Sequence, residues 1–139
     1  MALGKIEHLG IAVHDLKASE QIFQNLIGQS PYKRERIESE GVETSFFMAG
    51  NNKIELLAAT GPDSPIHRFL EKNGEGIHHV AFHVDDLHQE IERLKSAGFQ
   101  VLNEHPKPGA DGKLIAFLHP KGTGRVLIEL CQDNPNPEQ

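Results

Sequence analysis

A duplication inside the chain constrains its fold more than any other feature. Residues 5–16 read KIEHLGIAVHDL and residues 76–87 read GIHHVAFHVDDL. At an offset of 71, Ile6/Ile77, His8/His79, Val13/Val84, Asp15/Asp86 and Leu16/Leu87 coincide. The halves also end alike. Residues 53–57 read KIELL and 127–131 read LIELC, which pairs Glu55 with Glu129 at an offset of 74 and puts a three-residue insertion in the second half. A repeat of two implies like modules related by a pseudo-two-fold axis, not a solenoid.

Period and punctuation describe each module. Leu9, Ile11 and Val13 alternate with His8, Gly10 and Ala12, and Val80, Phe82 and Val84 alternate with His79, Ala81 and His83. Both read as strands with one apolar row. Asp15 caps a predicted helix over 16–27 that turns Leu16, Phe23, Leu26 and Ile27 inward and stops at Gly28. Asp86 caps a second helix, with Leu87, Ile91 and Leu94 inward and Gly98 as its stop. Strands are expected at 32–38, 42–48 and 53–57, and again at 99–103, 113–118 and 125–131, with turns at PKPGADG and HPKGTG. The expectation is an α+β fold of two β-α-β-β-β modules, about 5–57 and 76–131, in one domain. They would form a curved mixed sheet around a metal cleft. Residues 58–75 would link them, with a short helix from Pro65.

Composition narrows the function. With 139 residues the chain suits one domain that can bury a core without staples. No apolar run approaches a membrane span, and MALGKIEHLG shows no secretory signal. A lone cysteine, Cys131, fits a reducing compartment, so a cytoplasmic location is expected. The net charge of -6, with scattered lysines and arginines, argues against nucleic acid.

Strand parity then isolates four residues. His8 and His79 oppose the apolar rows of their strands, Glu55 opposes Ile54 and Leu56, and Glu129 opposes Ile128 and Leu130. Alone, each would be an ordinary strand residue. Recurring in register, two imidazoles and two carboxylates suit Zn²⁺, Co²⁺, Ni²⁺, Mn²⁺ or Fe²⁺, and on an octahedral ion they leave two positions for water or substrate. Gly10, Ala12 and Ala81 share that face and either leave room for substrate or simply pack. His83 shares the parity of His79 but is assigned a supporting or solvated role. His14, His67, His88, His105 and His119 are assigned none.

Nearly the whole chain resembles the methylmalonyl-CoA epimerases of the vicinal oxygen chelate superfamily. The resemblance rests on IEHLGIAV, GVETSFFMAGNNKIELL, DSPIHRFLEKNGEGIHHVAFHVDD and FLHPKGTGRVLIELCQ. It implies racemisation of the carbon between thioester and carboxylate of methylmalonyl-CoA, and a homodimer. It also implies one divalent metal, cobalt first with zinc, manganese or nickel as alternatives, on His8, Glu55, His79 and Glu129. Some relatives carry glutamine at Glu55. The resemblance makes Glu129 a catalytic base, with Glu55 as its mirror candidate and a water near Thr44 as the alternative. Some members use a further glutamate three residues after a glycine at the start of the third strand. Here Gly41 is followed by Val42, Glu43 and Thr44, so the matching position is Thr44, and Glu43 faces the other way. The rival readings are a glyoxalase-type metal lyase, an iron dioxygenase and a metal-free binding module of the same fold.

Overall fold

The computed structural model describes residues 2–136. These divide into two compact units, one of residues 8–78 and one of residues 2–7 with 79–136. Each is described in its own frame.

In the first unit, β1 (Ile6–Ala12) enters at His8, and α1 (Leu16–Ile27), β2 (Lys33–Ile37), β3 (Val42–Ala49), β4 (Asn52–Ala59) and α2 (Pro65–Asn73) follow. The sheet order is β2-β3-β4-β1, antiparallel except for the parallel pair β1–β4. The Asp15 side chain accepts from the Ala18 N–H, and Gly28 closes α1 at φ 85°, a left-handed geometry that glycine adopts without strain. Helix α1 covers one sheet face, where Leu16, Phe23 and Ile27 pack on Ile11, Val13, Phe47, Leu56 and Ala58. Helix α2 packs on the other, with Ile66 and Leu70 against Ala12, Val42 and Leu57. It begins at Pro65 behind the Ser64 cap, as the linker predicts.

Leu26 departs from expectation. It is 74 % exposed, because at 100° per residue it lies well off the line of Leu16, Phe23 and Ile27. Glu20 occupies the inward face instead, buried where its carboxylate accepts from Arg34 Nε at 2.5 Å and Ser45 Oγ at 2.7 Å.

The second unit repeats the plan with β5 (Gly76–His83), α3 (Leu87–Ser96), β6 (Lys107–Pro108), β7 (Lys113–Leu118) and β8 (Ile128–Asp133), in the order β5-β8-β7-β6. The pair β5–β8 is parallel, as β1–β4 is. Leu87, Ile91 and Leu94 of α3 pack on Val84, Ala116, Leu118 and Leu130. The α+β class and the β-α-β-β-β order are therefore as read. The strand expected over 99–103 is not formed. Val101 makes one isolated bridge to Leu118, and the outer strand is the two-residue β6, inside the stretch expected to turn. Pro106 and Pro108 have no N–H to donate, which keeps this edge short. Strand β8 starts three residues later than expected, because Arg125 sits at φ 67° and the Val126 N–H closes on the Thr123 carbonyl.

Leu56→Ala should test the α1-side core. Leu56 is wholly buried, so a loss of about 3–5 kcal/mol is expected in urea unfolding, against about 0.5 kcal/mol or less for Leu26→Ala. Equal losses at the two positions would contradict the packing.

Candidate metal centre

Register places the singled-out residues. In the first unit Glu55 is the Cα partner of Gly10 on β1 and of Phe46 on β3, so it shares their face, and His8, two residues before Gly10, shares it too. His8 Nε2 stands 3.3 Å from Glu55 Oε1. The second unit repeats this. Glu129 is the partner of Ala81 on β5 and Phe117 on β7, and His79 precedes Ala81 by two. His79 Nε2 stands 3.8 Å from Glu129 Oε1. All four residues are buried, at 5 % for His8, 4 % for Glu55, 2 % for His79 and 6 % for Glu129.

Each imidazole meets a phenylalanine edge-on. Phe46 lies 6.1 Å from His8 and Phe117 6.2 Å from His79, centroid to centroid, both with interplanar angles of 89°. Such contacts fix the ring plane and leave the nitrogens to polar partners. The sequence reading missed these rings, although they carry the signal it used, since Phe46 and Phe117 recur at the same offset of 71. The insertion in the second half therefore follows Phe117.

The donor set fits a divalent ion. Ligand bonds of about 2.0–2.2 Å subtending 90–110° put neighbouring donor atoms about 3.0–3.5 Å apart. The His8–Glu55 spacing falls in that range, and the His79–Glu129 spacing exceeds it by a few tenths of an ångström. These four are candidate metal-binding residues. Neutral imidazole and carboxylate suit borderline first-row ions.

Three of the remaining histidines have partners elsewhere. His83 Nε2 contacts Asp85 at 3.2 Å, and its backbone pairs with Gly4 and Lys5. His119 Nδ1 accepts from the Lys121 N–H, and His67 stands 3.2 Å from Glu71 on α2. Ala12 and Ala81 pack within apolar clusters. Thr44 is fully buried on the Glu55 face, opposite Leu57, and donates to the Glu35 carbonyl. Glu43 is on the reverse face, opposite Ala58, in an ion pair with Arg36 at 3.0 Å. The Arg36 guanidinium is held above its ordinary pKa, first by Glu38 and then by Glu43.

The family model for the Glyoxalase/Bleomycin resistance protein/Dioxygenase superfamily matches residues 7–117. The ethylmalonyl-CoA/methylmalonyl-CoA epimerase of Cereibacter sphaeroides is 42 % identical over 94 % of this chain and 98 % of its own. The mitochondrial methylmalonyl-CoA epimerase of Homo sapiens is 40 % identical over 94 % of this chain and 74 % of its own. Among solved structures, a glutamate-to-glutamine variant of the Streptomyces coelicolor methylmalonyl-CoA epimerase, in complex with 2-nitronate-propionyl-CoA, superposes with a TM-score of 0.90. It is 35 % identical over 95 % of this chain and 99 % of that one. The chain belongs to the glyoxalase/bleomycin resistance/dioxygenase superfamily and, within it, to the methylmalonyl-CoA epimerase family.

Because Glu43 faces away from Glu55 and is part of an exposed ion pair, Glu43→Gln should leave stability within about 0.5 kcal/mol and turnover within a few-fold. A loss of about a hundredfold, the size expected for removing a general base, would place Glu43 at the chemistry after all.

Proposed function

We propose that the protein is an epimerase that interconverts the (R) and (S) forms of methylmalonyl-CoA with one divalent metal on His8, Glu55, His79 and Glu129. The observation that carries this reading is the duplicated, buried imidazole–carboxylate pair under a matched phenylalanine. It stands in a chain whose relatives are named for this activity. When bound, the metal would act as a Lewis acid that takes up the negative charge developing on the thioester oxygen as the neighbouring C–H bond breaks.

Inversion requires a proton to leave one face of the α-carbon and another to arrive on the opposite face. One base cannot reach both, so in this reading two carboxylates divide the work. Glu129 takes the proton on one side and Glu55 serves the other. A carboxylate has two oxygens, so each can ligate through one and exchange a proton through the other. A water near Thr44 is the alternative to Glu55 as the second base.

The reading includes cobalt as the first choice of ion, a homodimer and a cytoplasmic location. The exposed Ile6 and Ile77, at duplicated positions, support association, and the buried, unbridged thiol of Cys131 suits a reducing compartment. A glyoxalase-type lyase would use a similar ligand set and is separated by its substrate.

Two expectations test the proposal. Purified protein should carry about one divalent ion per chain by elemental analysis, and His79→Ala should lose most of it. Full occupancy in a His8→Ala/His79→Ala double variant would exclude these ligands. Division of labour between the glutamates is tested by incubating each epimer of methylmalonyl-CoA in D₂O and reading mass and chirality. Wild type should invert and label both. Metal-replete Glu55→Gln and Glu129→Gln should each label one epimer without inverting it, and the favoured epimer should differ between them. Near-wild-type inversion by Glu55→Gln would reduce Glu55 to a ligand only.

A further inference from the structure

The three residues that the second module gains over the first fall in one loop. Phe46 and Glu55 match Phe117 and Glu129, with eight residues between the first pair and eleven between the second. In the first module the hairpin turns on Gly50 and Asn51 alone, since Ala49 is the partner of Asn52. In the second the last rung joins Leu118 to Ile128, and residues 119–127 form the connection.

The longer loop is tightly hydrogen-bonded and strained. The Gly122 N–H donates to the His119 carbonyl, the N–H groups of Thr123 and Arg125 donate to the Pro120 carbonyl, and the Thr123 hydroxyl donates to the Val126 carbonyl at 2.6 Å. Gly124 and Arg125 both take left-handed backbone, at φ 66° and φ 67°. Glycine does so freely, whereas the Cβ of an arginine crowds the following carbonyl oxygen. Strain of this kind persists only where the surrounding structure holds it, and it concentrates at ligand-binding segments. A glycine would close the same turn without strain, so loop geometry does not account for an arginine at 125.

Lys121 is the other cation of this loop. Both side chains are exposed, and among the described residues neither is in an ion pair. Lys121 follows Phe117 by four residues and Arg125 precedes Glu129 by four. At roughly 3.6 Å per residue, each Cα is at most about 14 Å from that residue of the candidate site. The pantetheine arm of CoA has a similar reach, because its chain of about 13 bonds from sulfur to the first phosphorus extends roughly 15 Å at the same rise per three bonds. In a chain of net charge -6 a polyanion needs a local concentration of positive charge, and this loop supplies it.

We propose that Lys121 and Arg125 hold the phosphates of the acyl-CoA, with the inserted loop as their platform. The proposal rests on the acyl-CoA reading above. Arg125 presents a planar fork that pairs with two phosphate oxygens at once, and Lys121 presents a compact point charge. CoA offers two sources of that chemistry, the diphosphate and the 3′-phosphate.

The test uses Arg125→Gly, which removes the guanidinium together with the strain, alone and combined with Lys121→Met. Binding of methylmalonyl-CoA, of its 3′-dephospho form and of methylmalonyl-pantetheine is measured by calorimetry, with kcat/KM and the melting temperature beside it. Arg125→Gly should melt no lower than wild type yet bind methylmalonyl-CoA about tenfold or more weakly, and the double variant more weakly still. Affinity and kcat/KM for the pantetheine thioester, which lacks the phosphates, should stay within twofold of wild type. A loss that disappears with the 3′-dephospho substrate assigns the loop to the 3′-phosphate, and one that remains assigns it to the diphosphate. Methylmalonyl-CoA affinity within twofold of wild type in the double variant overturns the proposal, as does an equal loss with the pantetheine thioester. Arg125→Gly alone is judged by the same criteria should the double variant be unstable. Wild-type protein that loses methylmalonyl-CoA binding with these substitutions but does not invert the substrate refutes the epimerase reading alone. Wild-type protein that binds neither thioester refutes both.

Discussion

A buried imidazole beside a buried carboxylate is the interaction on which the rest of each module depends. Taking an ionised carboxylate out of water costs several kcal/mol even after relaxation, and one imidazole nitrogen returns only part of that. Each half nevertheless buries such a pair, His8 with Glu55 and His79 with Glu129. Apolar residues of similar volume would pack these positions at lower cost. Each pair offers the donors that a divalent first-row cation uses, an imidazole nitrogen and a carboxylate oxygen, which makes these residues candidate metal ligands. The surrounding features serve that arrangement. The edge-on phenylalanines orient the rings, and the small partners Gly10 and Ala81 let the glutamates lie close to the strand that carries the histidine.

The duplication also separates what was retained from what diverged. The histidine strand, the glutamate strand and the phenylalanine strand keep one register in both modules, because a slip of one residue would turn each of these side chains to the face that α1 or α3 covers. The outer strands are under no such constraint. Strand β2 has five residues and pairs along its length with β3, whereas β6 has two between prolines. They differ in charge as well, with Glu35 of β2 opposite Thr44 and Lys107 of β6 opposite Ile115.

Much of this was legible because period-two alternation and helix caps are local. Asp15, Gly28 and Asp86 act within a few residues of themselves, and the structure uses each as a cap. The α1 and α3 faces followed from apolar spacing, except at Leu26, where a run of two apolar residues at the helix end hid which of them points inward. Glu20 was illegible for a different reason. Its burial depends on Arg34 and Ser45 of the same unit, 14 and 25 residues away, and nothing local marks a glutamate that will find two such partners. The outer strand of the second module was misplaced because Phe99–Asn103 has the composition of a strand, while β6 forms in a proline-rich stretch where only tertiary pairing with Ile115 and Leu114 can hold it. Phe46 and Phe117 went unnoticed because aromatic residues on strands are expected in any core, and only the register shows them against the imidazoles.

Parity on β3 shows how one strand serves stability and chemistry together. Ser45 and Phe47 face α1, where Ser45 satisfies Glu20 and Phe47 fills the core beneath Phe23. Thr44 and Phe46 face the other way, toward Leu57 and Glu55. Alternation lets substitutions on one face change folding free energy while the other face tunes the site. The two remain coupled only through the backbone, whose ladder both faces share. Glu43 belongs to the first set and Thr44 to the second, although they are adjacent in sequence. Position 44 can therefore change without disturbing the α1-side core. The methyl and hydroxyl of Thr44 pack, fully buried, where a carboxylate would need a compensating partner.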